Sequence, residues 1–242
     1  MSYCRGMYRV WLVRRLRRYG SPRIFKKLIK QGVSVGRKRV ERLMRGAGLK
    51  GRVARVTRRQ PGLKRFQARG ENLLRKMGKP TAINQVWVAD VTYIKVNGQW
   101  QYLATVIDLY SRRILGWSLS TTRTTELTRS AMTYALKKRN YPKGVLFHTD
   151  RGVEYTGGEF QKLLKENNFR HSLNRPGHCT DNAFMESFFH SLKAELIRGT
   201  IYRKATELRR ALSTYINHFY NTVRLHSGLD YESPIEYEQR AA

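Results

Sequence analysis

Apolar and polar positions change period along the chain, and the changes mark out a run of elements. From Val86 to Val96 they alternate as a half-buried strand requires, and Asn97-Gly98 supplies a tight hairpin turn. Gln101–Leu109 reads as a second apolar strand, Tyr110–Arg113 as a short turn and Ile114–Leu119 as a third strand. The period then lengthens to that of a helix over 124–138, with Leu127, Ala131, Tyr134 and Ala135 on its inner face. Val145–His148 is a short buried strand, 158–167 a helix and 170–173 another strand. A Pro-Gly loop at 175–181 leads into a further helix, on which Phe184, Phe188, Leu192 and Leu196 recur at helical spacing.

The segments on either side read differently. Residues 8–18 form a helix with Trp11, Leu12 and Leu16 on one side, broken at Tyr19-Gly20-Ser21-Pro22. A second helix over 22–30 points Ile24 and Leu28 inward, and a turn at Gln31–Ser34 follows. With Ser34 as N-cap, a third helix over 35–46 buries Val40, Leu43 and Met44. Residues 51–80 are basic and poor in apolar periodicity, as in a linker that tracks a partner, with room for a short helix around Gly70–Lys76. After the core, 205–222 is an amphipathic helix (Leu208, Leu212, Tyr215, Ile216, Phe219) followed by a polar, aromatic tail. Tyr220, Asn221, Arg224 and His226 read as packing and DNA-backbone contacts, with no catalytic chemistry. The boundaries expected are a helical module at 1–50, a linker at 51–80, a core at 81–200 and a helix and tail at 201–242. In the core, βββαβαβα is the ribonuclease-H-like α/β order, a mixed sheet with helices on both faces.

Charge adds a partner. The 242 residues carry 48 Lys and Arg against 17 Asp and Glu, a net charge of +31. Residues 1–80 hold 26 of the basic residues and two acids; the other 162 hold 22 and 15. That asymmetry points to a polyanion, duplex DNA foremost, gripped by the first third. Two short helices about a turn, the second studded with arginine, form a helix-turn-helix pattern. Lys38, Arg42 and Arg45 share a face, and Arg37, Lys38 and Arg39 stand near the helix start, where such modules meet base edges. Cys4 and Cys179 are too few for a disulfide framework or a zinc site. No run of about 18 apolar residues offers a membrane span, so a cytoplasmic protein is expected, on the nucleoid when bound to DNA.

The chemistry resides in acids. Only five aspartates occur, at 90, 108, 150, 181 and 230. Asp90 and Asp150 each end an apolar, β-prone run, and Glu186 follows Asp150 with 35 residues between them. If the first and fourth strands are neighbours, Asp90 and Asp150 meet. Hard cations such as Mg²⁺ favour carboxylate oxygens, and a pair of them stabilises both the attacking and the departing oxygen of an in-line displacement. Asp90 would bridge two ions, with Asp150 and Glu186 each serving mainly one. Asn182, Glu186, His190 (or Phe189) and Lys193 line one helix face. That sets Lys193 about 10 Å from Glu186 by helix rise, placed for a DNA phosphate. Asn182 is a helix cap or a substrate contact. Asp108 closes the second strand without partner spacing and reads as structural, and His148 either faces the site or finishes its strand.

Taken together, VWVADVTYI, YLATVIDLYSRRILGW, FHTDRGVEY, the Asp-35-Glu spacing with Lys193 seven positions on, and NHFYNTVRLHSGLDYESPIEY resemble the OrfB class of bacterial insertion-sequence transposases. That class lies in the retroviral-integrase-like DDE superfamily, and the resemblance runs from Tyr8 to Glu238. It implies a Mg²⁺-dependent polynucleotidyl transferase, with two ions and Mn²⁺ as a substitute. Such an enzyme nicks DNA at terminal inverted repeats, and the freed 3′-hydroxyl then attacks a second DNA segment. It also implies a homo-oligomer on DNA and, in many members, fusion to an upstream OrfA with a DNA-binding domain and a coiled coil. Two other readings stay open: a nuclease of the same fold that only hydrolyses, and an inactive DNA-binding relic.

Overall fold

A computed structural model describes residues 18–51 and 70–241. The chain divides into two compact units, Met1–Thr57 with Ser191–Arg198, and Arg58–His190 with Gly199–Ala242. The helix expected over 8–18 lies outside the described residues except for Arg18.

In the first unit, α1 (Ser21–Lys30) packs against α2 (Arg37–Gly46) through Ile24, Val40 and Met44. Pro22 stands in the first turn of α1, where its missing N–H costs nothing. Two expectations are corrected here. The residue before α2 is Gly36, in an extended conformation, and no side chain caps the helix, so Ser34 is not its N-cap. Leu43 is 54% exposed rather than buried, because so short a helix turns only Val40 and Met44 onto α1. A π-helical turn, Lys193–Ile197, belongs to this unit, and its buried Glu195 pairs with Arg23 at 3.5 Å.

The second unit holds a five-stranded sheet in the order β3-β2-β1-β4-β5. These are β1 (Val86–Val96), β2 (Gln99–Asp108), β3 (Ile114–Ser120), β4 (Leu146–Thr149) and β5 (Arg170–Leu173). The first three form an antiparallel meander, and β4 and β5 add in parallel to β1. At the β1–β2 hairpin, Asn97 and Gly98 have φ of 44° and 82°, both in the left-handed region that a two-residue turn needs to follow the strand twist. Helices α3 (Thr125–Lys138), α4 (Val153–Thr156) and α5 (Gly158–Glu166) contribute to one core layer. Its centre is Trp87, Ala89, Leu115, Met132, Phe147, Tyr155 and Phe160. Tyr134, expected inward on α3, is 60% exposed; Leu127, Ala131, Met132 and Ala135 form the buried stripe.

The meeting of α3 and β3 depends on a missing side chain. A Cβ on Gly116 would fall inside contact distance of the Ala131 carbonyl oxygen and 2.7 Å from the Ala135 nitrogen, both helix backbone. Backbone cannot step aside as a flexible side chain can. Gly116→Ala is therefore expected to cost about 1–3 kcal/mol through overpacking, read as a lowered denaturant midpoint; an unchanged midpoint would show that α3 can slide.

The rest of the unit departs from expectation in three places. The described part of the supposed linker packs onto the sheet. Leu173 N donates to Glu71 O, the Leu73 and Leu74 amides donate to Ser172 Oγ, and Asn72 Nδ2 reaches Asp181 Oδ2 at 2.8 Å. The single helix expected over 205–222 is α7 (Ala205–Ser213), widening into a π-helical stretch, Thr214–Tyr220. The supposed tail ends in a helix, α8 (Pro234–Ala241), started by a reciprocal cap: Glu236 N donates to Ser233 Oγ and Ser233 N to Glu236 Oε2. Asn221 and Arg224 are buried, and Asn221 bonds both backbone groups of Ile114, which is the packing expected of this cluster.

Candidate active site

β1 and β4 build the site between them. Their parallel register pairs Val86 with Leu146, Trp87 with Phe147 and Val88 with His148. Continued by two residues, it sets Asp90 level with Asp150. Asp90 ends the apolar run but not the strand: β1 runs on to Val96, as its alternation had it, while β4 stops at Thr149. Both acids therefore border the notch that opens where the shorter strand gives out.

Asp90 is held by burial and by company. Its Oδ1 accepts from Val91 N at 2.7 Å. Burial first, and the nearby Asp150 carboxylate second, push its pKa up to about 8. Asp150 is fixed on both oxygens: Oδ1 accepts from Gly152 N at 3.0 Å, and Oδ2 lies 3.6 Å from Arg123 Nη2. Its backbone is held by a relay in which Gln161 Nε2 donates to His171 Nδ1 and Thr149 Oγ1 bonds His171 Nε2 and donates to Asp150 O. This pattern requires a neutral imidazole, and burial accordingly lowers the His171 pKa to about 4.

The remaining expected residues are distributed as follows. Glu186 is exposed on α6 (Ala183–Leu192). Among the described residues, no three His, Cys, Asp or Glu stand close enough to hold a metal together. The structure brings Asp90 and Asp150 together and leaves Glu186 outside that pair. Asn182, read as a helix cap or a substrate contact, is 3% exposed, and its Nδ2 donates to Ala89 O at 3.1 Å. It ties the start of α6 to the residue before Asp90, a positioning role, and offers no surface to a strand. Phe184, expected to pack on the sheet, is instead partly exposed under the Arg112 guanidinium; Met185, Phe188, Phe189 and Leu192 are the buried residues of α6. The α-helical ladder ends at Leu192, and Lys193 opens the π turn of the first unit. In that unit, Arg37, Lys38, Arg39, Arg42 and Arg45 are all exposed on α2, Arg37 bonding Glu41 at 2.9 Å.

Asp108 and His148 have structural roles. Asp108 is fully buried and accepts from the Asn84 and Tyr110 amides. His148 is fully buried with Nδ1 against Ser172 Oγ at 2.9 Å, finishing its strand. Two residues near the acids were not singled out from the sequence. Glu154 lies inside the FHTDRGVEY motif, four residues after Asp150, and that proximity was a usable signal. Arg123 sits in a Thr-rich turn and gives none.

The acid pair passes a chemical test for a hard cation. Two neighbouring carboxylates, the buried one with its pKa raised, are groups that would hold a divalent ion, whose charge would favour their ionised forms. The sign of the pH dependence follows. Asp90 gains a proton on folding between its ordinary value near 4 and its folded value of about 8. Protein without added cation therefore loses stability as pH rises through that window, and Asp90→Asn flattens the loss. Mg²⁺ is expected to raise the melting temperature more at pH 8.5 than at pH 6.5; an equal rise at both would contradict the protonated pair.

Comparisons with known proteins bear on the whole chain. Residues 80–179 match the integrase core domain, residues 167–234 a second model of that name, and residues 6–57 an HTH-like domain. Over 222 residues the chain is 38% identical to the transposase for insertion sequence element IS904 of Lactococcus lactis subsp. lactis (strain IL1403), covering 92% of this chain and 88% of that one. The chain belongs to the insertion-sequence transposase family. It is also 38% identical over 243 residues to the transposase InsF for insertion sequence IS3A of Escherichia coli (strain K12), covering 99% and 83%. Among solved structures, a simian T-cell lymphotropic virus intasome in complex with PP2A regulatory subunit B56 gamma matches with a TM-score of 0.56. That match covers 85% of this chain and 67% of that chain at 17% identity, a likeness of fold. The transposase thus carries an HTH-like module before a ribonuclease-H-like integrase core, and its function is that of a DDE transposase. No helix among the described residues is long and apolar enough to cross a membrane.

Proposed function

We propose that this DNA-cutting and joining enzyme is a divalent-metal-dependent polynucleotidyl transferase in which Asp90, Asp150 and Glu186 are the catalytic carboxylates. The observation that carries the reading is the level placement of Asp90 on β1 and Asp150 just past the end of the parallel β4, at the notch where β4 ends. Two Mg²⁺ ions, with Mn²⁺ as a substitute, would activate the attacking oxygen and stabilise the departing one. Asp90 and Asp150 would hold them, with Glu186 completing the set once DNA lies across the notch. Gly152 N keeps Asp150 aimed, the His171–Thr149 relay steadies its backbone, and Asn182 anchors the helix that carries Glu186. Lys193 is proposed as a phosphate contact.

Arg37, Lys38, Arg39, Arg42 and Arg45 are proposed to grip duplex DNA at the element's terminal inverted repeats. Neutralising Lys38, Arg42 and Arg45 together should reduce the slope of log affinity against log salt by about 3; an unchanged slope would remove α2 from the contact. Joining two ends calls for at least two copies on the DNA, and an upstream OrfA partner fits the same scheme. A pre-nicked element end incubated with Mg²⁺ and target DNA tests the reaction type. Joined product is expected, whereas release of hydrolysed fragments alone would favour a nuclease.

A further inference from the structure

Glu154 is a buried acid, 3% exposed, that stands outside the proposed catalytic set. Its carboxylate lies against Gly152, where an added Cβ would come within 2.6 Å of Oε1, so a side chain there would have to displace it. Its backbone oxygen accepts from Thr128 Oγ1 at 2.8 Å, fixing it against α3. A carboxylate buried in this way needs a partner, and Arg123 supplies it. Nε donates to Glu154 Oε1 at 2.6 Å and Nη2 pairs with the same oxygen. That Nη2 also stands 3.6 Å from Asp150 Oδ2. One guanidinium therefore bridges a deep acid and an acid of the notch. The topology makes this possible. β3 runs parallel to β1 and β4, so the turn after it, which carries Arg123, leaves the sheet at the same edge as Asp150.

We propose that Arg123, seated on Glu154, is a positioning residue for Asp150 and sets how tightly the Asp90–Asp150 pair takes up a divalent cation. The inference rests on the reading of that pair as a cation site. The guanidinium steadies the second oxygen of Asp150 and places a positive charge where it competes with an incoming cation. Glu154 holds that competition down by keeping most of the guanidinium to itself. Without Glu154, the arginine would turn fully to Asp150; without Arg123, the acid pair would face the cation unopposed, but Asp150 would be loosely aimed.

The two partners should therefore move cation binding in opposite directions. The test is Mn²⁺ binding to the full chain without DNA, by calorimetry, beside DNA cleavage at saturating Mn²⁺. Arg123→Gln is expected to bind Mn²⁺ about tenfold tighter, since a unit charge near a ligand oxygen is removed, yet to cleave about tenfold more slowly. Glu154→Gln is expected to bind about tenfold more weakly. Arg123→Lys keeps the charge but lacks the planar fork that spans both acids; it should bind Mn²⁺ within about threefold of the parent and still cleave slowly. A merely structural pair would lower the melting temperature of all three and leave the Mn²⁺ affinity of the folded protein unchanged. That result, or Arg123→Gln and Glu154→Gln shifting affinity the same way, would overturn the inference alone. If Glu154→Gln does not fold, the contrast between Arg123→Gln and Arg123→Lys decides it. Parent protein that takes up no Mn²⁺ would overturn the cation-site reading as well.

Discussion

Asp90→Ala, Asp150→Ala and Glu186→Ala are each expected to lower DNA cleavage by about a thousandfold or more, because such groups act as a unit and the loss of one forfeits most of the whole. DNA binding should survive all three, since removing a carboxylate from a basic protein removes repulsion from phosphate. The three differ in stability, which separates chemistry from folding. Glu186 is exposed on α6, so its loss should change stability by no more than about 0.5 kcal/mol. Asp150→Ala frees the Gly152 amide and removes the outer partner of Arg123, and should cost more. Asp90→Ala removes a carboxyl that burial and Asp150 oppose, and without cation it should stabilise the protein above pH 8. Gel assays of cleavage and binding with thermal melts on the same preparations check the set. A Glu186→Ala protein with near-parental cleavage would strike that residue from the site.

The second large effect concerns Glu238. Glu238, on α8, accepts from Ser111 Oγ and Arg113 Nη1, each at 2.6 Å, and from Arg139. Arg139 also stands 3.7 Å from the buried Asp108. Burial raises the Glu238 pKa, but the bonds from Arg139, Ser111 and Arg113 outweigh it and hold the carboxyl below its usual value. Glu238→Ala would leave two largely buried guanidiniums facing a gap, which costs about 3–5 kcal/mol. Equilibrium unfolding in urea should show the loss as a lower midpoint. Glu238→Gln, which can still accept hydrogen bonds, should fall between the two. A change within about 0.5 kcal/mol for Glu238→Ala would mean that water replaces the carboxylate and that α8 contributes little.

The strands were legible because period-two alternation and Asn97-Gly98 report local physics, and all five lie within two residues of where the pattern put them. The meeting of Asp90 with Asp150 depended on strand order, which no local pattern carries; it follows from the parallel pairing of β1 with β4. Helix faces were read less well. Tyr134, Leu43 and Phe184 have apolar bulk at helical spacing, but which stripe is buried depends on what packs there: Gly116 draws α3 in on Ala131 and Ala135, and Arg112 covers Phe184. The C-terminal helix was missed although Ser233-Pro234-Ile235-Glu236 spells a capping box. Asn182 was read for its chemistry when its amide closes a tertiary contact 93 residues away in sequence. Arg123 could not have been found, since only folding brings its turn beside Asp150.

The central claim is that Asp90, Asp150 and Glu186 surround one cation site when DNA is bound. Fe²⁺ bound in place of Mg²⁺, with ascorbate and peroxide, cuts the polypeptide near the metal, and the fragments can be mapped by mass. In a complex with element-end DNA, cuts are predicted around residues 90, 150 and 186, suppressed by excess Mg²⁺ and absent from Asp150→Ala. Mg²⁺-sensitive cuts confined to other segments, with none around 90 and 150, would contradict the account.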